Sequence, residues 1–342
     1  MRKDEQMNTT PFPTTAVIHI TESCTHECAF CYARKTLGLS EEADYQTLCK
    51  IVDKLSFIGI TNICLLGGDP VNYPFAIDLL RYIKEIPSMK TSVMSNTYIP
   101  SNGSFDDLCK YLDFAEATIH GISSSDHDAV CGVIGAYDNL VDKLSQLSAN
   151  GVVVGLAINI TPKTYDHIFD IVNNFNGRLS NRLSYIVVQR IIPAGKAKEG
   201  SDHHLTKHHA NIALEHVHNI SENLRISISI EDPFPLCVID KKYHKYMHRC
   251  EWGFTKFSLT ANGNFSRCGA TPNQSLGNIL NDDFHELWST VSHLKEFRAL
   301  NYLSEKCKTC KQRIICGGGC PVSNQSNRLG IDYLIDANEV LI

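Results

Sequence analysis

Between residues 16 and 189 the spacing of apolar positions switches back and forth between two patterns. Short runs rich in apolar residues occur at Ala16–Thr21, Asn62–Leu66, Thr91–Ser95, Phe114–His120, Val152–Ile160 and Leu183–Gln189. Such runs predict strands buried on both faces. Between them apolar residues recur at helical spacing. Leu48, Ile51, Val52, Leu55 and Ile58 form one stripe, and Pro74–Ile86 is a second segment opened by a proline. Ser104–Leu112, Ala136–Asn150 (closed by Gly151) and Thr164–Phe175 are three more. Six strands alternating with helices predict an α/β fold, a partial (β/α)6 barrel of the TIM type with its helices outside. Barrels of this kind place their chemistry at the C-terminal ends of the strands.

After Pro193 the pattern breaks. Residues 196–205 are polar and predict a linker, followed by a helix over Thr206–Ile220 and a strand over Arg225–Ile230. From Phe234 the chain becomes cysteine-rich. The expected division is a tail over 1–15, a barrel over 16–195, a linker helix and strand over 196–233, and a small cysteine-rich domain over 234–342. A net charge of −5 supplies no basic field for nucleic acid. No apolar run has the length of a membrane span, and the polar N-terminus lacks the apolar core of a signal peptide. A cytoplasmic location follows as the expectation.

Fourteen cysteines change the picture. Cys24, Cys28 and Cys31 fall on one short loop directly after the first predicted strand. Thiolates are the usual protein ligands of iron–sulfur clusters, and three of them leave one iron of a [4Fe–4S] cube open. An open iron can chelate the amino and carboxylate groups of S-adenosylmethionine (SAM). The competing reading is a zinc knuckle short of one ligand. The residues resemble the radical SAM superfamily, whose CxxxCxΦC pattern is matched by Cys24, Cys28, Phe30 and Cys31, with Tyr32 where members often set an aromatic against the adenine. Its GGEP motif is matched at the end of the second strand by Gly67, Gly68, Asp69 and Pro70. The resemblance implies that this turn receives the SAM ammonium, with Asp one methylene shorter than Glu. It also implies SAM contacts at strand ends, here Ser95, Asn96, Ser123, Asn159 and Arg190; the plain alternative for each is a polar cap. After His127-Asp128, Cys131 stands where many relatives carry an arginine, and Arg190 is the expected substitute partner for the SAM carboxylate.

The C-terminal cysteines form a second ordered set: Cys250, Gly263 and Cys268, then Cys307, Cys310, Cys316 and Cys320. They resemble the SPASM domain of radical SAM maturases, which implies one or two auxiliary [4Fe–4S] clusters. By position, one would use Cys237, Cys250, Cys268 and Cys320, and the other Cys307, Cys310 and Cys316. The family's final cysteine is missing, leaving an open iron or an oxygen ligand such as Asp332 or Asp336. A tetrahedral zinc site on the last four cysteines is the alternative. His203, His204, His208 and His209 read as a solvated surface, and Cys49, Cys64 and Cys109 as buried thiols.

The resemblance implies reductive SAM cleavage to a 5′-deoxyadenosyl radical that abstracts hydrogen from a peptide or small-molecule substrate. Oxidative modification or crosslinking of a ribosomally made peptide is the leading expectation; a small-molecule dehydrogenase or tailoring enzyme is the alternative. An electron donor such as flavodoxin or ferredoxin is implied. With the barrel starting at residue 16, a separate leader-peptide-binding protein is the expected partner for a peptide substrate.

Overall fold

The computed structural model describes residues 12–33, 43–180, 182–197, 203–271, 274–325 and 331–335. Most of the expected tail lies outside them, as does Asp336.

Seven parallel strands follow one another across a single sheet: β1 (Thr15–Thr21), β2 (Asn62–Gly67), β3 (Lys90–Met94), β4 (Phe114–Ile119), β5 (Val153–Ile160), β6 (Tyr185–Arg190) and β7 (Ser227–Ile230). The connecting helices are α1 (Tyr45–Phe57), α2 (Ala76–Lys84), α3 (Phe105–Tyr111), α4 (Ser124–Cys131), α5 (Ala136–Ala149), α6 (Ile168–Arg178) and α7 (Lys207–Asn223). The predicted stripes are the buried ones: Leu48, Ile51, Val52 and Leu55 on α1, and Leu140, Leu144 and Leu147 on α5, all join the main core. Side-chain caps fix where several helices begin. Asp44 caps α1 through the Thr47 backbone N–H, and Ser104 and Ser123 form reciprocal boxes with Asp107 and Asp126.

The fold departs from the sequence reading at both edges of the barrel. β7, assigned to a linker, pairs in parallel with β6 and continues the array. The strand Lys256–Thr260 (β8), from the cysteine-rich part, pairs in parallel with β1 on the other side. β8 also carries an antiparallel hairpin of β9 (Asn264–Ser266) and β10 (Gly277–Asn278), completing a ten-stranded sheet in the order β10-β9-β8-β1-β2-β3-β4-β5-β6-β7. Lys256, opening β8, meets Glu231, just past β7, at 2.5 Å. This half-buried ion pair spans the gap between the two ends of the parallel array. Among the described residues, no helix is long and apolar enough to cross a membrane.

Candidate functional site

The loop after β1 carries Cys24, Cys28 and Cys31 at the C-terminal end of the array. Its shape is held by backbone contacts from two sides. Glu27 and Ala29 donate their N–H groups to the carbonyls of Cys131 and Val130, so the C-terminus of α4 buttresses the loop. Gly68 and Asp69 donate theirs to Thr21 and Ser23, both at 2.7 Å. This close approach is why the turn after β2 needs glycine. A Cβ on Gly67 would sit 2.3 Å from the Thr21 carbonyl oxygen, and one on Gly68 would sit 2.3 Å from that of Ser23. The glycines therefore admit the cysteine loop's own backbone. Gly68→Ala is expected to lower the unfolding free energy by about 1–3 kcal/mol, the usual cost of overpacking. An unchanged urea midpoint would show that the loop yields freely.

A third contact comes from Gly195, where a Cβ would lie 2.4 Å from the Tyr32 Cα, while Lys196 donates to the Cys31 carbonyl at 3.0 Å. The segment after β6 thus closes on the loop as well.

A cavity of ≈ 420 Å³ opens between this loop and the strand ends. Cys24, Cys28, Cys31, Phe30, Tyr32, Gly67, Gly68, Asp69, Ser95, Asn96, Asn159 and Arg190 all line it. Phe30 stands edge-on between His120 and His203. The amide of Asn159 meets the His120 ring at 3.4 Å, and the Asn96 side chain accepts from the Thr118 N–H.

Four expectations change. Ser123 is exposed, caps α4 and does not line the cavity. Pro70 is buried in the 3-10 turn behind Asp69, also off the cavity wall. Asp69 has turned its carboxylate inward. It accepts from Ser95 Oγ (2.9 Å), Thr97 Oγ1 (3.0 Å) and the N–H groups of Val71 and Asn96. The shorter side chain ties the β2 turn to the end of β3 rather than presenting a free carboxylate. Burial pushes its pKa up, against the pull of these donors.

Arg190 is the fourth change. Its guanidinium is fully buried and paired with Asp332, with Nη1 2.9 Å from Oδ1, and it also donates to the carbonyls of Asp232 and Pro233. Burial opposes the charge, but Asp332 outweighs it and holds the pKa above the ordinary arginine value. Arg190 is thus a fastener between β6, the Asp232–Pro233 turn and the C-terminal segment. Asp332 is committed to it and does not stand free as an oxygen ligand.

Two of the loop thiols differ chemically. Burial pushes Cys24 up to about 11. Cys28 is held well below the ordinary thiol value, chiefly by a hydrogen bond from Cys131 and then by His120 and His26. Cys131, the donor, is raised correspondingly and also meets His127 Nε2 at 3.4 Å. In the apo protein Cys28 is expected to react with iodoacetamide at neutral pH faster than Cys24, because the thiolate is the nucleophile. Cys131→Ala should slow Cys28 by removing its donor; peptide mapping that shows equal rates would refute this.

Among the described residues, ligand atoms close enough for a single ion occur together at His26, Cys28 and Cys131. The three loop cysteines are not such a group, nor are the last four. The histidines near 203–209 pack against rings: His204 on Tyr333, and His209 on Tyr165.

The C-terminal cysteines sort into two neighbourhoods. Cys268 and Cys320 pack in one buried cluster with Val322, and Cys250 lies within their electrostatic reach. Cys237, expected with these three, lies instead within electrostatic reach of Cys316, Cys307 and Cys310. The N–H of its neighbour Leu236 donates to Cys316 Sγ at 3.3 Å.

A family model described as the radical SAM superfamily matches residues 18–174, and one described as an iron–sulfur cluster-binding domain, SPASM, matches residues 250–311. The chain is a radical SAM protein with a C-terminal SPASM domain. Its cofactors are [4Fe–4S] clusters and S-adenosylmethionine. The sporulation killing factor maturation protein SkfB of Bacillus subtilis is 24% identical over 55% of this chain and 45% of its own length. The chain thus aligns with less than half of that relative. A PqqA peptide cyclase of Ruegeria pomeroyi is 21% identical over 91% of this chain and 83% of its own. The crystal structure of Streptococcus suis SuiB matches the fold with a TM-score of 0.76, at 19% identity, over 97% of this chain and 79% of that one.

Glu116, Asp232 and Glu231 also line the cavity and were missed by sequence reasoning. Burial pushes Glu116 up to about 7, with Tyr185 pulling the other way. Its signal was faint: one acid in a short, mainly apolar strand.

Proposed function

We propose that the chain is a radical SAM maturase that oxidatively modifies or crosslinks a ribosomally synthesised peptide. The observation that carries it is the cysteine loop at the strand ends facing a cavity that also reaches Cys268 of the SPASM region. Relatives supply the substrate class: the cyclases are named for the peptide PqqA, and SuiB has been crystallised with its precursor peptide SuiA.

In this reading Cys24, Cys28 and Cys31 hold the first cluster, which when bound supplies the electron for reductive SAM cleavage. The chain's own residues then bind and orient. The Gly67–Gly68 turn and the ends of β3 and β5, through Ser95, Asn96 and Asn159, form the wall against which SAM lies. Tyr32, whose phenol burial keeps protonated, lies within electrostatic reach of both Cys31 and Cys268. The enclosure limits water at the reacting carbon, and orientation supplies much of the rate. Glu116, near neutrality, can hold or give up a proton at the inner end of the cavity. A flavodoxin or ferredoxin supplies electrons, a separate protein presents the leader segment, and the setting is cytoplasmic.

The test is anaerobic incubation of reconstituted protein with SAM, a reductant and any short peptide found encoded beside its gene. Formation of 5′-deoxyadenosine with a peptide product lighter by two hydrogens is expected. SAM cleavage without any peptide change would favour a small-molecule substrate.

A further inference from the structure

The C-terminal cysteines form one buried group and one nearer the surface. The buried group has three thiols. Cys250, Cys268 and Cys320 are 9%, 8% and 3% exposed, and Cys268 lines the cavity. Asp232 stands next to this group. Its Oδ1 lies 3.8 Å from Cys320 Sγ, and the same carboxylate borders the cavity. Its placement is specific. Asp232 adopts a left-handed backbone with φ 53°, which Asp and Asn tolerate better than most residues. Arg190 holds that conformation by donating Nε to the Asp232 carbonyl at 3.0 Å and Nη2 to that of Pro233 at 3.1 Å. Asp332 in turn fixes Arg190.

The other group has four thiols. Cys237 and Cys310 are exposed, while Cys307 and Cys316 are partly covered. The turn Pro235–Leu236 brings Cys237 in. Leu236 donates to Cys316 Sγ at 3.3 Å, and Pro235 packs so closely on Gly319 that a Cβ there would lie 2.9 Å from its ring.

We propose that Cys237 supplies the fourth thiolate of an outer auxiliary cluster with Cys307, Cys310 and Cys316, and that Asp232 is the oxygen ligand of an inner auxiliary cluster on Cys250, Cys268 and Cys320. The inference rests on the reading of the chain as a carrier of auxiliary clusters. It moves the missing thiolate: the outer cluster is complete and the inner one, at the cavity, has the weaker ligand. A carboxylate is a harder and less electron-donating ligand to iron than a thiolate, so the inner cluster has the higher potential. It is therefore the better electron acceptor beside the substrate. The Asp232 corner is also the one that exchanges most readily, and it faces the cavity.

The experiment uses full-length protein in which Cys24, Cys28 and Cys31 are alanine, reconstituted anaerobically. Iron, labile sulfide, EPR signals and midpoint potentials are read. About eight irons are expected, four for each auxiliary cube. Cys237→Ala and Cys307→Ala should remove or alter the same signal, and the double variant should look like either single. Cys237→Ala combined with Cys268→Ala should affect both signals. If Cys237→Ala instead shares its signal with Cys268→Ala, or alters none, the assignment is overturned. Asp232→Cys should retain the iron and lower the potential of the Cys268-dependent signal only. Asp232→Asn, which keeps the backbone conformation, should alter that same signal. A Cys268-dependent signal unchanged in both variants would overturn the role of Asp232. Absence of labile sulfide in the parent protein would mark failure of the auxiliary-cluster reading itself, whereas sulfide with the wrong pairing would sink only this assignment.

Discussion

Replacing Cys24, Cys28 and Cys31 together by alanine is expected to remove about four of about twelve irons from the reconstituted protein and to abolish SAM cleavage, since each cube holds four irons. The size of the effect follows from the loop's construction. It has backbone partners in α4, in the turn after β2 and in Lys196, so the alanine loop keeps its place while losing every thiolate. The loss is therefore specific: far-UV circular dichroism and the two auxiliary signals should persist. Iron and sulfide analysis alongside 5′-deoxyadenosine formation checks this. Residual SAM cleavage in the triple variant would place the reactive cluster elsewhere. Zinc without labile sulfide in the parent protein would remove the iron–sulfur reading altogether.

Arg190→Ala is expected to destabilise the protein by about 3–5 kcal/mol, because it strands the Asp332 carboxylate in a site with no exposure. The same change frees the Asp232 and Pro233 carbonyls and undocks the segment around Ile331–Ile335 from β6. Urea unfolding of the apo protein measures the loss. The double variant Arg190→Met with Asp332→Leu should recover most of it, since an apolar pair avoids the unmatched buried charge. If Arg190→Ala costs no more than a surface substitution, the arginine is not the fastener described here and its role as a SAM partner returns to consideration.

The comparison of Arg190 with Cys24 shows what kind of information each residue carried. The cysteine loop was legible because its spacing is local. Three thiols within eight positions, directly after an apolar run, define a ligand loop whatever the rest of the chain does. Arg190 was legible only as a polar residue at a strand end. That it meets Asp332, 142 positions away, depends on how the C-terminal segment returns to β6.

The barrel divides in the same way. Strands β1 to β6 and helices α1, α2, α3, α5 and α6 were set by apolar periodicity, because burying both faces of a strand or one stripe of a helix writes itself into consecutive residues; the short, polar α4 carries no such stripe and was not read. The edges were not. β7 is only four residues long, and β8 lies far along the chain in a cysteine-rich region, so their parallel pairing with β6 and β1 left no local trace. Asp69 is similar: the sequence supplied a carboxylate in a motif, but the missing methylene and the donors on Ser95 and Thr97 decided which way it turned. Cys237 is the clearest case. Distance along the chain favoured Cys250, whereas packing of Pro235 and Leu236 against the Cys316–Gly319 turn brought it to the other group. The sequence by itself determined which atoms are available for ligation and the barrel that presents the first three. Only the tertiary structure decided the partners of long-range charges and thiols, because those contacts are fixed by chain return and packing rather than by neighbours in the sequence.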